Sequence, residues 1–120
     1  MVFWINRILG IKAVDEGLTE EEYGSIILDL RNLVDGKNEI TPLVNTIKNA
    51  IAFYTICRER NLRLILQCQA GISRAPAIAA TILGLQCDYE WDEALELIKK
   101  KCPRVNINQD LLEQLRSIFR

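Results

Sequence analysis

Two short apolar runs separated by one long helical pattern constrain the fold of this chain most. Ser25–Leu30 is a β-rich run of strand length, and Leu62–Leu66 is a second run of the buried type. Between them, apolar residues recur at helical spacing, which predicts a helix over Pro42–Arg60 with Thr41 as its N-cap. Strand, helix and strand in this order predict parallel strands joined by a crossover. We therefore expect an α/β fold with a central, mostly parallel sheet flanked by helices.

Downstream of the second run, the sequence predicts three more helices. The stretch Ala75–Leu85 is apolar on nearly every side, as a helix inside a core would be. An amphipathic helix follows over about Tyr89–Lys101, and another begins near Asn108, a favourable N-cap residue. The predicted buried stripes are Trp91, Ala94, Leu95 and Ile98 in the first of these and Leu111, Leu112, Leu115 and Phe119 in the second.

The residues before Ser25 carry weaker signals. We expect a short strand around Phe3–Leu9, followed by a polar stretch that reaches Gly24. No linker, repeat or low-complexity tract divides the chain, and 120 residues is the size of one domain. The sequence therefore predicts one compact domain over residues 1–120.

The chain contains no histidine, and this narrows its chemistry. Histidine is the commonest metal ligand, the base of Ser-His and Cys-His pairs, and the usual proton shuttle at neutral pH. Catalysis must therefore use cysteine, carboxylate, arginine or lysine, and we expect no metal and no cofactor. The net charge is −1, without a clustered basic excess, so we expect neither a nucleic acid nor a membrane as partner.

The four cysteines indicate reduced thiols. Cys57, Cys68, Cys87 and Cys102 lack the C-x-x-C spacing of zinc or thioredoxin sites. The first ten residues do not resemble a secretory signal, and the longest apolar run, Ala75–Leu85, is too short to cross a bilayer. We therefore expect a cytoplasmic monomer. The three cysteines other than Cys68 fall on apolar stripes or helix ends, which favours core packing over a redox partnership with Cys68.

The segment Gln67–Arg74, QCQAGISR, carries the candidate chemistry. A strand ending at Cys68, a glycine-containing loop and a helix starting near Arg74 form an anion trap, because the N–H groups of loop and helix converge there. Gly71 lets the backbone turn and approach a ligand closely. Arg74 offers a planar fork for two phosphate oxygens, and the positive field favours a nucleophilic Cys68 thiolate. A leaving oxygen still needs a proton, for which a carboxylic acid on a neighbouring loop is the natural donor.

This loop, followed by Ala75 and Pro76, resembles the C-x5-R signature of the cysteine-based protein tyrosine phosphatases, in particular the small dual-specificity class. The resemblance covers about residues 25–119. Asp35 stands where this class places its general acid, and CPRVNINQDLLEQL (102–115) resembles its closing pattern. The resemblance implies a dual-specificity-phosphatase-like fold and phosphomonoesterase activity. The implied substrate is a phosphorylated protein or peptide, with phosphotyrosine as the leading class and phosphoserine or phosphothreonine beside it.

The resemblance also implies the residue roles. Cys68 attacks phosphorus, Arg74 and the loop bind the phosphate oxygens, and Asp35 protonates the leaving oxygen and then activates water. The substrate-binding loop residues are Gln69, Ala70, Gly71, Ile72 and Ser73, together with Arg74. Gln69 and Ile72 are uncharged, whereas relatives acting on very acidic substrates often carry lysine there.

Some roles stay open at this level. Asp29 and Glu39 are alternative acids, although Asp29 lies within a strand and Glu39 abuts the next helix. Ser73 either shapes the loop through its hydroxyl or serves only the turn.

Two departures from the family pattern keep other functions open. Gln67 replaces the usual histidine before the nucleophile, so we expect a less favoured thiolate, with the amide replacing some of the lost hydrogen bonds. Ala75 replaces the usual Ser or Thr after the arginine, so hydrolysis of the phosphocysteine should be slow. The alternatives are a non-catalytic phospho-binding module, a phosphatase of glucans or other non-protein substrates, and sulfur transfer on a rhodanese-like loop.

Overall fold

A computed structural model describes residues 1–14 and 20–118 of the chain. Its strands are β1 (Phe3–Trp4), β2 (Leu9–Ala13), β3 (Ser25–Asp29) and β4 (Arg63–Cys68). Its α-helices are α1 (Ile40–Arg60), α2 (Arg74–Gln86), α3 (Trp91–Lys101) and α4 (Gln109–Ile118), and a short 3-10 helix spans Glu20–Glu22. The order β3, α1, β4, α2 confirms the expected alternation of strand and helix.

The strands described above form one sheet in the order β1-β2-β4-β3. β2 and β3 both run parallel to the central strand β4, and β1 is antiparallel to β2. In this register Ala13 pairs with Cys68, and Asp29 pairs with Gln67. The carboxyl ends of three parallel strands therefore meet at one edge, where open α/β sheets place their ligand sites. The predicted α/β class and the mostly parallel sheet are confirmed.

One face of the sheet carries the main core. Leu64, Leu66 and Cys68 alternate along β4 and are buried together with apolar residues of α1 and α2. In α2 every residue from 75 to 83 is buried, as its composition predicts. The stripes of α3 and α4 also face this core, with Ala94, Ile98, Leu111 and Leu115 buried. Phe119, predicted in the second stripe, lies outside the described residues.

The predicted strand around Phe3–Leu9 is present only in part, as β1 over Phe3–Trp4. A turn interrupts it, because the Asn6 side-chain oxygen accepts hydrogen bonds from the backbone N–H groups of Ile8 and Leu9, each at 2.8 Å. The chain then enters β2, most of which lies in the stretch predicted to be polar. A Cβ on Gly10 would lie 2.6 Å from the Val2 side chain, so this strand position requires glycine.

A buried ion pair also explains why β2 is difficult to recognise from its sequence. Lys12 lies in the middle of the strand and pairs with Glu22 at 2.5 Å, and both side chains are 3% exposed. A lysine and a glycine within five residues remove the apolar alternation by which a strand is recognised in sequence.

Helix starts differ from the prediction by one or two residues. α1 begins at Ile40 after Glu39, so Thr41 is not its N-cap and Pro42 occupies the third helical position. Proline is tolerated there, because the N–H groups of the first turn have no partner within the helix. α3 begins at Trp91, where residues 90 and 93 form a capping box. None of the helices in residues 1–14 and 20–118 is long and apolar enough to span a membrane.

Candidate active site

Cys68 is the last residue of β4 and is 2% exposed. Its carbonyl oxygen accepts a hydrogen bond of 2.9 Å from Val14 N–H, which extends the pairing with β2 by one residue. The backbone N–H of Ala75, in the first turn of α2, donates to the Cys68 sulfur at 3.4 Å. Helix N-terminal N–H groups carry partial positive charge, so the sulfur faces the positive end of the α2 dipole.

The loop after Cys68 curls over the carboxyl end of β2. Gly71 adopts a left-handed φ of +69°, and a Cβ there would lie 3.0 Å from the backbone N of Ala13. Both the turn and the close approach therefore require glycine. The carbonyl oxygen of Ile72 accepts a hydrogen bond of 2.7 Å from Asn106, which fixes the loop to the segment before α4.

A cavity of about 140 Å³ opens above this loop. It is lined by Asp35, Cys68, Gln69, Ala70, Ile72, Ser73 and Arg74. The structure therefore brings the sequence-predicted residues together around one pocket, except Gly71, which is buried against the backbone of Lys12 and Ala13.

The guanidinium of Arg74 is oriented by the loop that follows β3. Its Nη1 donates to the carbonyl oxygens of Arg31 at 3.2 Å and Leu33 at 3.0 Å. The Nε–Nη2 edge bonds no residue in the described part of the chain. One edge thus holds the arginine in place, and the other is free to bind two oxygens of an anion side by side.

Ser73 links the loop to Asp35. The Ser73 hydroxyl donates to the Asp35 carboxylate at 2.5 Å and accepts from the backbone N–H of Asn108 at 2.8 Å. Ser73 is 5% exposed, so its hydroxyl hydrogen bonds within the fold. Asn108 also caps α4, because its side-chain oxygen accepts from Asp110 and Leu111. The helix-cap prediction for Asn108 is confirmed. The Ser73 hydroxyl joins elements of the fold, but its partners are Asp35 and Asn108 and not the backbone of its own loop.

Asn38 and Gln114, which the sequence analysis did not single out as site residues, fix the loop that carries Asp35. The Asn38 side chain accepts from Val34 N–H at 2.8 Å and donates to the carbonyls of Val34 at 2.9 Å and Gly36 at 3.1 Å. Gln114 then bonds the backbone of Asn38 twice, accepting from N–H at 2.8 Å and donating to C=O at 2.6 Å. The only sequence signal for this role of Gln114 was a polar side chain next to the apolar stripe of α4, one residue before Leu115.

Asp29, an alternative acid in the sequence analysis, is engaged elsewhere. Arg31 donates to both of its oxygens, with Nε at 3.0 Å and Nη2 at 2.6 Å. This hydrogen bonding by Arg31 lowers the pKa of Asp29, so the carboxyl stays ionised and is a poor proton donor at neutral pH. The Gln67 amide also donates to Asp29, at 3.4 Å. Gln67 thus uses its amide on the neighbouring strand, whereas the sequence pattern predicts that the amide supports the Cys68 loop.

The cysteines outside the pocket are structural in character. Cys57 and Cys102 are fully buried, and burial raises the pKa of both thiols. The Cys87 sulfur lies 3.3 Å from the Tyr54 hydroxyl in a hydrogen bond. All four cysteines are free thiols.

We compared the chain with known protein families, with curated proteins and with solved structures. No family model matches the chain. Mouse dual specificity protein phosphatase 15 is 29% identical over 111 residues, which is 92% of this chain and 45% of that protein. The crystal structure of human DUSP28 superimposes with a TM-score of 0.84 at 14% identity, covering 98% of this chain and 94% of that one. The structure of PTPMT1 in complex with PI(5)P gives 0.76 at 16% identity, covering 96% and 92%.

The resemblance to the small dual-specificity phosphatases is thereby confirmed. The superposition with human DUSP28 covers nearly the whole chain, so the two proteins share one fold. The chain spans less than half the length of the curated relatives that it matches, between 18% and 45%. All of these relatives are named as dual specificity protein phosphatases.

Proposed function

We propose that this protein hydrolyses phosphate monoesters through a phosphocysteine formed on Cys68. The observation that carries the proposal is the convergence in one pocket of a buried thiol, the free edge of Arg74 and the carboxylate of Asp35. A nucleophile, a bidentate anion ligand and a proton donor are the three parts that this chemistry needs.

In the proposed first step, the Cys68 thiolate attacks phosphorus and an S–P bond forms while the P–O bond to the leaving group breaks. The Nε–Nη2 edge of Arg74 and the loop N–H groups hold the phosphate oxygens. The carboxyl proton of Asp35 passes to the leaving oxygen. In the second step, Asp35 takes a proton from water, whose oxygen attacks phosphorus and releases inorganic phosphate and the Cys68 thiolate. The reaction consumes one water and needs no metal or cofactor.

For the substrate, we propose phosphotyrosine in proteins or peptides, with phosphoserine and phosphothreonine beside it. Among the residues that line the pocket, Arg74 is the only cation, which suits one phosphate rather than a cluster of them. The cavity of about 140 Å³ can hold the phosphate group of either an aryl or an alkyl ester. The cytoplasm is the compartment that we propose, because free thiols persist in a reducing environment.

The test is hydrolysis of p-nitrophenyl phosphate by wild type, Cys68→Ser and the matched control Cys87→Ser. Cys87 lies at the end of α2, away from the residues that line the pocket. We expect the Cys68 variant to lose activity by at least about 10³-fold, since the hydroxyl is a far weaker nucleophile at neutral pH. The control should stay within a few-fold of wild type. Full activity of Cys68→Ser would exclude the mechanism.

A phospho-binding module without turnover is the second candidate, favoured by Ala75 and by the use of the Gln67 amide on Asp29. Such a module would bind a phosphotyrosine peptide reversibly and would release no phosphate. Equilibrium binding of the peptide combined with a phosphate-release assay separates the two functions.

A lipid substrate is the third outcome, and release of phosphate from PI(5)P but not from phosphopeptides would identify it.

A further inference from the structure

A second cavity lies at the opposite end of the central strand from Cys68. It has a volume of about 470 Å³ and is lined by Trp4, Ile5, Asn6, Arg7, Arg63 and Lys101. Arg63 opens β4 and Cys68 closes it, so the two sites are roughly 17 Å apart at about 3.3 Å per residue. This second cavity, here called the basic cavity, is therefore separate from the active-site pocket.

Three cations face the basic cavity without a counter-ion. Arg7, Arg63 and Lys101 line it, and none of them is within 4.0 Å of a carboxylate among residues 1–14 and 20–118. No Asp or Glu contributes to its wall. Like charges that converge on a concave surface repel one another and raise the local potential. An anion bound between them would remove this repulsion, which solvent alone only screens.

The wall of the basic cavity is already ordered. The guanidinium carbon of Arg63 lies 5.1 Å from the centre of the Trp4 ring, so a cation–π contact restricts the side chain. Arg7 sits on the turn between β1 and β2, which Asn6 fixes through its hydrogen bonds to Ile8 and Leu9. Because the Arg63 side chain and the backbone at Arg7 are held in place, less conformational entropy is lost when the cavity binds a ligand.

The chemistry of the wall selects the kind of ligand. Guanidinium groups bind carboxylates and phosphates side by side, and the cavity holds two of them with a lysine. A bilayer surface is a poor fit, because the cavity is concave and Trp4 is half-buried under Arg63 instead of protruding. A nucleic acid is also a poor fit, since the chain as a whole has a net charge of −1. An acidic peptide segment remains.

We propose that the basic cavity docks an acidic segment of the protein substrate, through carboxylate or phosphate groups held by Arg7, Arg63 and Lys101. This role rests on the proposed phosphatase function. A substrate that occupies both sites needs a spacer on the order of ten residues, because the chain must pass around the surface at about 3.3 Å per residue or less. Docking at this distance raises the effective concentration of the phosphorylated residue at the pocket.

The first test measures binding directly, by the anisotropy of a fluorescein-labelled hexaglutamate peptide. We expect saturable binding to wild type that weakens at least tenfold in Arg63→Gln and with rising salt, and that is unchanged in the control Lys48→Gln. Lys48 is exposed on α1 and does not line the basic cavity. Displacement of bound hexaglutamate by a phosphoserine peptide would show that phosphates dock there too. Equal affinity of wild type and Arg63→Gln would overturn the proposal, as would Arg63-dependent binding to phosphatidylserine vesicles without peptide binding.

The second test measures kcat/KM on two phosphotyrosine peptides that share a flexible spacer and end in six glutamates or six glutamines. We expect the glutamate peptide to be favoured about tenfold by wild type and Lys48→Gln, and not by Arg63→Gln. p-Nitrophenyl phosphate, which is too small to reach the basic cavity, should be hydrolysed equally by all three proteins. Equal kcat/KM for the two peptides in wild type would overturn the docking role. Absence of all hydrolysis would instead contradict the proposed function, while the binding test would still decide the cavity.

Discussion

Asp35 is the residue on which proton transfer in the proposed reaction depends, and its removal has a specific signature. Asp35→Asn cannot protonate a leaving oxygen, so esters with poor leaving groups should suffer most. We expect kcat on phenyl phosphate to fall about 10²-fold or more, and kcat on dinitrophenyl phosphate to change little. The measurement is kcat across a series of aryl phosphates. Asp29→Asn is the matched control, because Asp29 is held by Arg31, and it should leave the series unchanged. An equal loss on every ester in Asp35→Asn would place the acid elsewhere.

Ala75 governs the second step in our account. Its backbone N–H donates to the Cys68 sulfur at 3.4 Å, but its methyl side chain adds no hydrogen bond. In Ala75→Ser a hydroxyl can donate to the departing thiolate, so breakdown of the phosphocysteine should be several-fold faster. Pre-steady-state kinetics on p-nitrophenyl phosphate would show this as a higher kcat and a smaller burst in the variant. A slower variant with an undiminished burst would mean that the serine does not reach the sulfur.

At the scale of elements, α4 acts as the support of the acid loop. Gln114 holds the backbone of Asn38 through two hydrogen bonds, and Asn38 closes the loop around Asp35. In Gln114→Ala we expect a loss that depends on the leaving group, about tenfold on phenyl phosphate and small on dinitrophenyl phosphate, since the acid would be present but less well placed. Gln109→Ala, an exposed change in the same helix, is the control. A uniform loss on both esters would indicate a general effect on folding and would contradict the positioning role.

The elements also show which parts of the fold a sequence pattern can predict. Two parts of the fold were predictable because the residues that determine each of them are contiguous in the sequence. These parts are the unit of β3, α1 and β4 and the loop from Cys68 to Arg74. β2 was not predictable, since Gly10 is required by packing against Val2 and Lys12 by an ion pair with Glu22. Both requirements come from residues brought near only by folding.

The candidate site divides in the same way. Cys68 and Arg74 were predictable from one loop, and Asp35 from its place in the family pattern. The pair of Asn38 and Gln114 was not, because it joins residues separated by 76 positions. The orientation of Arg74, which leaves its Nε–Nη2 edge free, could not be predicted either, because it depends on a hydrogen bond from Nη1 to the carbonyl oxygen of Leu33.

For the molecule as a whole, the raised pKa of Tyr54 predicts that the folded state loses stability at alkaline pH. Burial, together with the hydrogen bond to the Cys87 thiol, raises the pKa of Tyr54 to about 12 from 10.0. The neutral phenol is therefore favoured in the folded state, and this share of the stability is complete below about pH 10 and lost as the pH rises towards 12. Between pH 8 and pH 11 we expect wild type to lose about 1 kcal/mol more unfolding free energy than Tyr54→Phe. Urea unfolding of both proteins at the two values measures this, and equal losses would contradict the assignment.

The central claim is that one pocket at the end of β4 performs covalent phosphoryl transfer. The most direct measurement is mass spectrometry of the protein after rapid acid quench during turnover of p-nitrophenyl phosphate. Our account predicts one phosphoryl group per chain, located on the peptide that contains Cys68, absent in Cys68→Ser and retained in Cys87→Ser. Turnover without any phosphorylated protein, or with the phosphoryl group on another residue, would contradict it.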